Sequence, residues 1–316
     1  MKRKIEISVI VACYNPDWRK LKATLKSIIK QNDICLEIII ADDGSKICFD
    51  DKIKELFDFY DFDEYIIVKS DLNGGTVKNF IKGIKIAKGE FVKFISPGDC
   101  IFDSNTLSEW YKFNILNNIK VSFGDYHSYL SNDLSIIPTY ACPQLTYVYK
   151  NTFSNELKFD YLLFNDAILG ACLLSERLFT IKYLDEIEDC CKYAEDQIYR
   201  LMVARKETIV YFNRSVVWYE QGEGITSSQS LKWKEIIGQE IQAVEQKLLE
   251  NNKLSRFDSY RLSIVYKRRN RMLKYFIFPE AIHLAYKKHK VTRYTNADLS
   301  NKQLKNYFGD DENASD

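Results

Sequence analysis

The stretch Phe91-Val92-Lys93-Phe94-Ile95-Ser96-Pro97-Gly98-Asp99-Cys100 constrains the fold of this chain more than any other. It alternates too little for a half-exposed strand, so it reads as a central strand buried on both faces, broken by Pro97-Gly98 with Asp99 at its carboxyl edge. In open α/β sheets that edge is where ligands bind.

Three similar units precede it. Ile5–Cys13 is a continuous β-rich run closed by Tyr14-Asn15-Pro16-Asp17, and a helix follows with Trp18, Leu21, Leu25 and Ile28 on one face. Leu36–Ala41 is a second buried strand, stopping at Asp42-Asp43-Gly44-Ser45. A helix over about 50–59 leads to a third strand, Tyr65–Val68. Asn73-Gly74-Gly75 then opens a helix with Gly89 as its C-terminal cap. Strands alternating with helices predict a mostly parallel, doubly wound α/β sheet with right-handed crossovers. Its strand ends at Tyr14-Asn15, Asp42-Asp43 and Asp99 would converge on one crevice.

Downstream, the spacing predicts a helix over 104–117 and a strand at Val121–Tyr126. The aromatic section 131–165 reads either as an acceptor groove or as a packed wall. A buried segment passes Gly170-Ala171, Glu195-Asp196 opens a helix, and short strands follow at Ile209–Phe212 and Val216–Tyr219. Beyond Gln221-Gly222-Glu223-Gly224 the pattern becomes helical and charged, and the last residues are acidic without apolar anchors, which predicts disorder.

A length of 316 residues allows one large domain or two smaller ones. Lysine and arginine number 45 against 44 acids, a net charge of +1, which gives no global pull toward nucleic acid or a membrane. The eight cysteines form no C-x-x-C pair and there are three histidines, so free thiols in a reducing compartment are expected, not a disulfide framework or a zinc site. Met1-Lys2-Arg3-Lys4 and the run after it mimic a signal peptide, but Glu6 interrupts and Tyr14-Asn15-Pro16 ends it too soon. The expectation is a cytoplasmic chain. No window approaches the apolar length of a spanning helix. A dinucleotide-dependent oxidoreductase would need G-x-G-x-x-G after the first strand, and none is there.

Taken together, Val9-Ile10-Val11-Ala12-Cys13-Tyr14-Asn15, Ile38–Ala41 with Asp42-Asp43-Gly44-Ser45, Asn73-Gly74-Gly75 with Lys78-Asn79, Ala87-Lys88-Gly89-Glu90 and Glu195-Asp196 resemble the inverting family-two glycosyltransferases of the GT-A fold, of the bacterial surface-polysaccharide type. The likeness covers roughly residues 5–228. It implies a GT-A domain with a nucleotide-sugar half (1–102) and an acceptor half (103–228), followed by a C-terminal helical extension (229–305) and an acidic disordered tail (306–316).

The same resemblance implies a UDP-sugar donor held by Ala12, Tyr14, Asn15, Asp42, Asp43, Lys78, Ser96 and Asp99. An aromatic face plus a carboxylate suits a flat pyrimidine with an imide donor. Asp196 would be the catalytic base with Glu195 supporting it, and Gly170 and Ala171 would line the acceptor side. In an inverting transfer one carboxylate suffices, taking the acceptor proton as the hydroxyl attacks the anomeric carbon. Without the resemblance, the acidic pair reads equally as a complement to a helix dipole, and Asp-Asp-Gly-Ser as turn chemistry.

Two departures stand out. Where such enzymes commonly end the fourth strand in Asp-x-Asp-Asp, this chain has Ser96-Pro97-Gly98-Asp99, and Tyr219–Gly224 lacks the histidine that relatives often carry near the diphosphate. Either Asp99 holds Mg²⁺ or Mn²⁺ with Glu220 or Glu223, or transfer is metal-independent and Lys78 plus backbone N–H groups of 222–227 take the leaving-group charge. That loop reads either as a lid or as an ordinary connection. The basic and aromatic segment at 267–290 reads either as an interfacial element docking an anionic membrane beside a polyprenyl-diphosphate-linked glycan acceptor, or as a helical cap or homodimer contact. The alternative to an enzyme is a non-catalytic nucleotide-sugar-binding scaffold in a polysaccharide assembly complex.

Overall fold

The computed structural model describes residues 4–139, 143–150, 158–159, 168–221, 230–250, 254–268, 282–283, 286–287, 290 and 299–309. The first half is β1 (Ile7–Cys13), α1 (Trp18–Ile29), β2 (Leu36–Asp42), α2 (Asp50–Phe59), β3 (Tyr65–Lys69), α3 (Thr76–Ile86) and β4 (Phe91–Ile95). It continues through β5 (Cys100–Ile101), α4 (Thr106–Leu116), β6 (Val121–Tyr129), β7 (Ile136–Ile137), β8 (Leu173–Glu176), α5 (Arg177–Ile187), α6 (Ile198–Ala204) and β9 (Ile209–Glu220). The helices α7 (Leu231–Glu250), α8 (Arg256–Arg268) and α9 (Lys302–Phe308) follow.

One sheet runs in the order β3-β2-β1-β4-β8-β6-β9-β5, with β7 paired to β6. Its N-terminal part, β3 to β4, is parallel throughout, as the alternation of strands and helices predicts. Beyond β4 the sheet is mixed: β8 joins β4 and β6 antiparallel and β5 joins β9 antiparallel, while β6 and β9 pair parallel, so the sheet stays mostly parallel with short antiparallel pairings added. Single-strand patterns do not carry pairing direction, and the α5 helix that follows β8 was not foreseen.

The first strands read as solid apolar runs because helices cover both faces. Ile10 and Ile39 pack with Val77, Phe80 and Ile84 of α3. Their neighbours Val9, Val11, Ile38 and Ile40 pack with Leu21, Leu25 and Ile28 of α1 and Phe57 of α2. Both sets are buried from water, the arrangement that makes a parallel strand largely apolar.

Three local expectations are corrected. Gly89 is not the cap of α3, which is Ala87; a Cβ on Gly89 would lie 2.4 Å from the Ser8 nitrogen, so glycine is required there by close approach to β1. The two strands expected at 209–219 are one strand, β9, whose pairing with β6 shifts register around Asp125. The tail expected to be disordered from 306 begins inside α9, where Leu304 and Tyr307 are fully buried on a cluster with Ala23, Tyr129 and Trp218; residues 310–316 lie outside the described ones. The seven described cysteines are free thiols.

Candidate active site

The carboxyl ends of β2, β1 and β4 open into a cavity of about 620 Å³. Because Cys13 of β1 stands in register with Asp42 of β2, the residues just beyond the two strands leave the sheet together. Asp43 is buried there, with its two carboxylate oxygens accepting the N–H groups of Gly74 (2.8 Å) and Gly75 (2.7 Å). This explains the Asn-Gly-Gly sequence: Gly75 has φ +92°, and a Cβ on it would strike Lys192. Asn15, itself at φ +44°, donates its N–H to Ser45 Oγ (2.7 Å) and accepts from the Lys46 N–H (2.8 Å). The Tyr14 ring beside it is half exposed at the cavity rim.

The turn after β4 is held from α1. Lys20, Thr24 and Ser27 share one helical face. Thr24 Oγ1 accepts the Gly98 N–H (3.0 Å) and donates to the Asp99 carbonyl (2.7 Å), and Ser27 Oγ accepts the Ile101 N–H (2.9 Å). Asp99 is 7% exposed and its Oδ1 accepts the Glu220 N–H at 3.0 Å. Burial pushes its carboxyl up to about 7, against the pull of that N–H and of Lys93. Lys93 is fully buried mid-strand, donating to the carbonyls of Phe94 (2.8 Å) and Ala171; burial pushes its ammonium down to about 8.

The far wall carries the acidic pair, in a single 3₁₀ turn, Glu195–Gln197, ahead of α6. Burial raises both carboxyls, and the charge of Asp196 opposes ionisation of Glu195. The Gln197 amide, donating to Asp196 Oδ1 at 2.9 Å, and the Arg200 charge draw Asp196 back down. The two acids thus differ in surroundings: Asp196 has an amide donor and a cation beside it, whereas the charged neighbours of Glu195 are acids. Glu195 lies over Gly170, where a Cβ would come within 2.7 Å of its Oε1.

Ala12, Tyr14, Asn15, Asp43, Ser96, Asp99, Gly170, Ala171, Glu195, Asp196 and Glu220 all line this one cavity. Asp42 and Lys78 do not: Asp42 Oδ1 accepts the Ser45 N–H at 2.9 Å, and Lys78 is exposed on α3. Glu223 and the 222–227 loop lie outside the described residues, as does nearly all of 267–290.

Several residues that line or support the cavity were missed from the sequence. Asn79 donates to the Ala41 carbonyl (2.6 Å), and its Oδ1 has no hydrogen-bond partner among the described residues. Trp233 reaches the cavity from α7 and meets Tyr193 edge to face at 5.1 Å. Glu240, also on α7, accepts the N–H groups of Tyr193 (3.0 Å) and Ala194 (2.9 Å). The signal was a tryptophan and an acid seven residues apart on a helix otherwise polar enough to pass for a solvated extension. Lys20 was also missed; its Nζ lies 2.5 Å from Glu220 Oε1.

Residues 8–141 match the profile of glycosyl transferase family 2. The uncharacterized glycosyltransferase MG060 of Mycoplasma genitalium is 34% identical over 140 residues, 43% of this chain and 46% of that protein. Glycosyltransferase GlyA of Streptococcus pneumoniae is 25% identical over 73% of this chain, which is 32% of its own length. The chain therefore spans about half or less of these two relatives. The Escherichia coli UDP-Glc:alpha-D-GlcNAc-diphosphoundecaprenol beta-1,3-glucosyltransferase WfgD is 24% identical over 54% of this chain and 70% of its own. Among solved structures, S. aureus TarS 1-349 in complex with UDP-GlcNAc superposes with a TM-score of 0.59 at 17% identity, covering 96% of this chain and 79% of that one. That likeness gives the fold, GT-A.

Proposed function

We propose that the chain, whose residues 8–141 match the profile of glycosyl transferase family 2 on a GT-A fold, is an inverting glycosyltransferase that moves a hexose or N-acetylhexosamine from a UDP-sugar to a sugar hydroxyl. One observation carries the proposal: Asp196, its carboxylate held by the Gln197 amide and drawn on by the Arg200 charge, lines a single cavity with Tyr14, Asp43 and Asp99. The UDP-GlcNAc held by TarS and the UDP-Glc in the name of WfgD support a UDP-sugar as the donor class.

In this reading Tyr14 lies against the base. Each Asp43 oxygen already accepts one N–H and has a lone pair left for the uracil imide or the ribose. Asp42 would act through the 42–45 turn, and Lys78 from outside the cavity. The acceptor oxygen attacks C1 as the C1–O bond to the diphosphate breaks. The electron pair leaves with UDP, the acceptor proton passes to Asp196, and an α-linked donor gives a β-linked product. One such base contributes about 10²–10⁴-fold in rate. No covalent intermediate forms.

We take 1–102 as the donor half and 103–228 as the acceptor half. The nominal extension, 229–305, shares in the site, since Trp233 with Tyr193 offers an aromatic wall to a sugar ring beside Gly170 and Ala171. WfgD, named for a diphosphoundecaprenol acceptor, supports a lipid-linked glycan and a role in surface polysaccharide synthesis, with 267–290 at an anionic membrane face or in a homodimer. Among the described residues no helix is long and apolar enough to cross a membrane.

The resemblance also implies Mg²⁺ or Mn²⁺ at Asp99 with Glu220. The described donors do not fit it. A hard ion bridging two phosphates wants open, charged carboxylate oxygens. Asp99 Oδ1 is taken by the Glu220 N–H and burial favours its neutral form, Glu220 Oε1 is taken by Lys20, and the described residues hold no group of three acidic, histidine or cysteine side chains able to bind a metal.

Screening UDP-sugars for UDP release, with and without oligosaccharide acceptors, tests the proposal. Release from at least one donor, stimulated by acceptor, is expected. Donor binding without any release would favour the scaffold reading.

A further inference from the structure

We propose that Gln197 is the positioning residue of Asp196, and that Arg200, tied to α7 through Glu245, fixes the Gln197 amide so that its N–H faces the Asp196 carboxylate. The proposal rests on the reading of Asp196 as the base. It gives α7, which lies outside the family-matched residues, a hold on the setting of that base.

Asp196, Gln197, Arg200 and Glu245 stand in one line of contacts. Gln197 Nε2 donates to Asp196 Oδ1 at 2.9 Å, Arg200 Nε donates to Gln197 Oε1 at 2.6 Å, and Arg200 Nη1 lies 3.6 Å from Glu245 Oε1. Gln197 and Arg200 are both buried, so water does not compete for the middle of the line. The order of atoms along it is forced. A guanidinium offers only donors and an ionised carboxylate only acceptors, so the amide between them fits one way, oxygen to Arg200 and nitrogen to Asp196. The reversed amide would set N–H against N–H at one end and oxygen against oxygen at the other. A free amide turns between the two orientations; here a cation three residues on, in the first turn of α6, selects the one that presents a donor to the acid.

The consequence is electrostatic. A carboxylate that takes a proton from an acceptor hydroxyl has to be charged before the hydroxyl arrives. The surroundings of Asp196 work against that: burial raises its carboxyl, Glu240 of α7 pushes the same way, and Glu195 beside it is a second acid, itself facing Asp99 and Glu240. The Gln197 amide and the Arg200 charge pull in the other direction, since both favour the ionised form. Arg200 therefore acts twice, once through its own charge and once by aiming the amide. Glu245 steadies the guanidinium from α7, with both side chains of that pair largely withdrawn from water. Glu240 of the same helix accepts the N–H groups of Tyr193 and Ala194, so α7 grips the acidic turn on the side before the two acids and on the side after them.

Titration of the side-chain carboxyls of the full chain by ¹³C NMR reads the inference without any turnover, with the Asp196 signal assigned by its loss in Asp196→Asn. Gln197→Met keeps the volume and removes the amide. The Asp196 midpoint should then rise by about one pH unit, a tenfold change in proton affinity, because the ionised form loses its donor. Arg200→Met should move it the same way, and Arg200→Lys, which keeps a cation, should recover most of the shift. In steady-state kinetics the acid limb of kcat/KM should move to higher pH with the midpoint. A midpoint that stays in place in Gln197→Met overturns the inference, as does one that moves in Arg200→Lys as far as in Arg200→Met. If Gln197→Met does not fold, Gln197→Asn decides: its shorter amide cannot span both partners, and an unmoved midpoint there overturns the inference. Wild-type rates in Asp196→Asn overturn the reading of Asp196 as base and this inference with it. A wild type that transfers from no donor overturns the transferase reading alone, and the carboxyl titration still decides the contact between Gln197 and Asp196.

Discussion

The Glu240 carboxylate on α7 accepts the backbone N–H of Ala194 at 2.9 Å, one residue ahead of the acidic pair. A helix outside the family-matched residues thus sets the position of the candidate base. Glu240→Gln keeps a carbonyl acceptor and should leave turnover within a few-fold of wild type. Glu240→Ala leaves the N–H groups of Tyr193 and Ala194 without their acceptor, a penalty of about 1–3 kcal/mol, and should lower kcat with little change in donor KM. Steady-state kinetics on the pair of variants checks this.

Asp196 and Glu195 should respond oppositely to amide substitution. Asp196→Asn removes the base and should cut transfer by about 10²–10⁴-fold while UDP still binds. Glu195→Gln mimics the protonated acid and should keep a substantial share of activity. Since transfer needs ionised Asp196 and burial raises its carboxyl above the ordinary range, wild-type kcat/KM should fall as pH drops through that raised value, at a higher pH than for an exposed aspartate. A rate profile of the three proteins would expose a reversed assignment.

Asp99 ties stability to pH. Burial pushes its carboxyl up to about 7 in the folded chain, from 3.8 for an unperturbed aspartate. The folded state binds the proton more tightly, so this contribution is fully present below about pH 4 and is lost as pH rises through about 7. Asp99→Asn keeps an oxygen for the Glu220 N–H and carries no charge. Relative to wild type it should gain stability across that window, by roughly 2–4 kcal/mol at its top. Denaturant midpoints at several pH values would show whether the gap widens.

Leu304 and Tyr307 fix α9 against α1, the helix whose Thr24 and Lys20 serve the 96–99 turn. Leu304→Ala should cost about 2–5 kcal/mol. Thermal melts would detect it, and an unchanged midpoint would mean that α9 does not dock there.

The sequence was most informative where burial on both faces leaves few polar positions. β1, β2 and β4 were plain for that reason, and with them the convergence of Tyr14, Asp43 and Asp99. Glu195-Asp196 was found through resemblance, since two acids at a helix start look the same whether they serve a dipole or a reaction. What escaped were relationships between distant residues. That Gly89 is demanded by Ser8, that Glu220 fills the space over Gly98, and that Trp233 closes the cavity are facts of tertiary approach with no local periodicity. Lys20 looks like any lysine in the first turn of an amphipathic helix until Glu220, 200 positions away, is set beside it.

The central claim is tested most directly by following a panel of α-linked UDP-sugars with the wild-type chain by proton NMR, with oligosaccharide acceptor present. The account predicts that one donor is consumed, UDP accumulates and the new anomeric signal is that of a β-linkage. A product of α configuration, or every donor remaining intact, would contradict it.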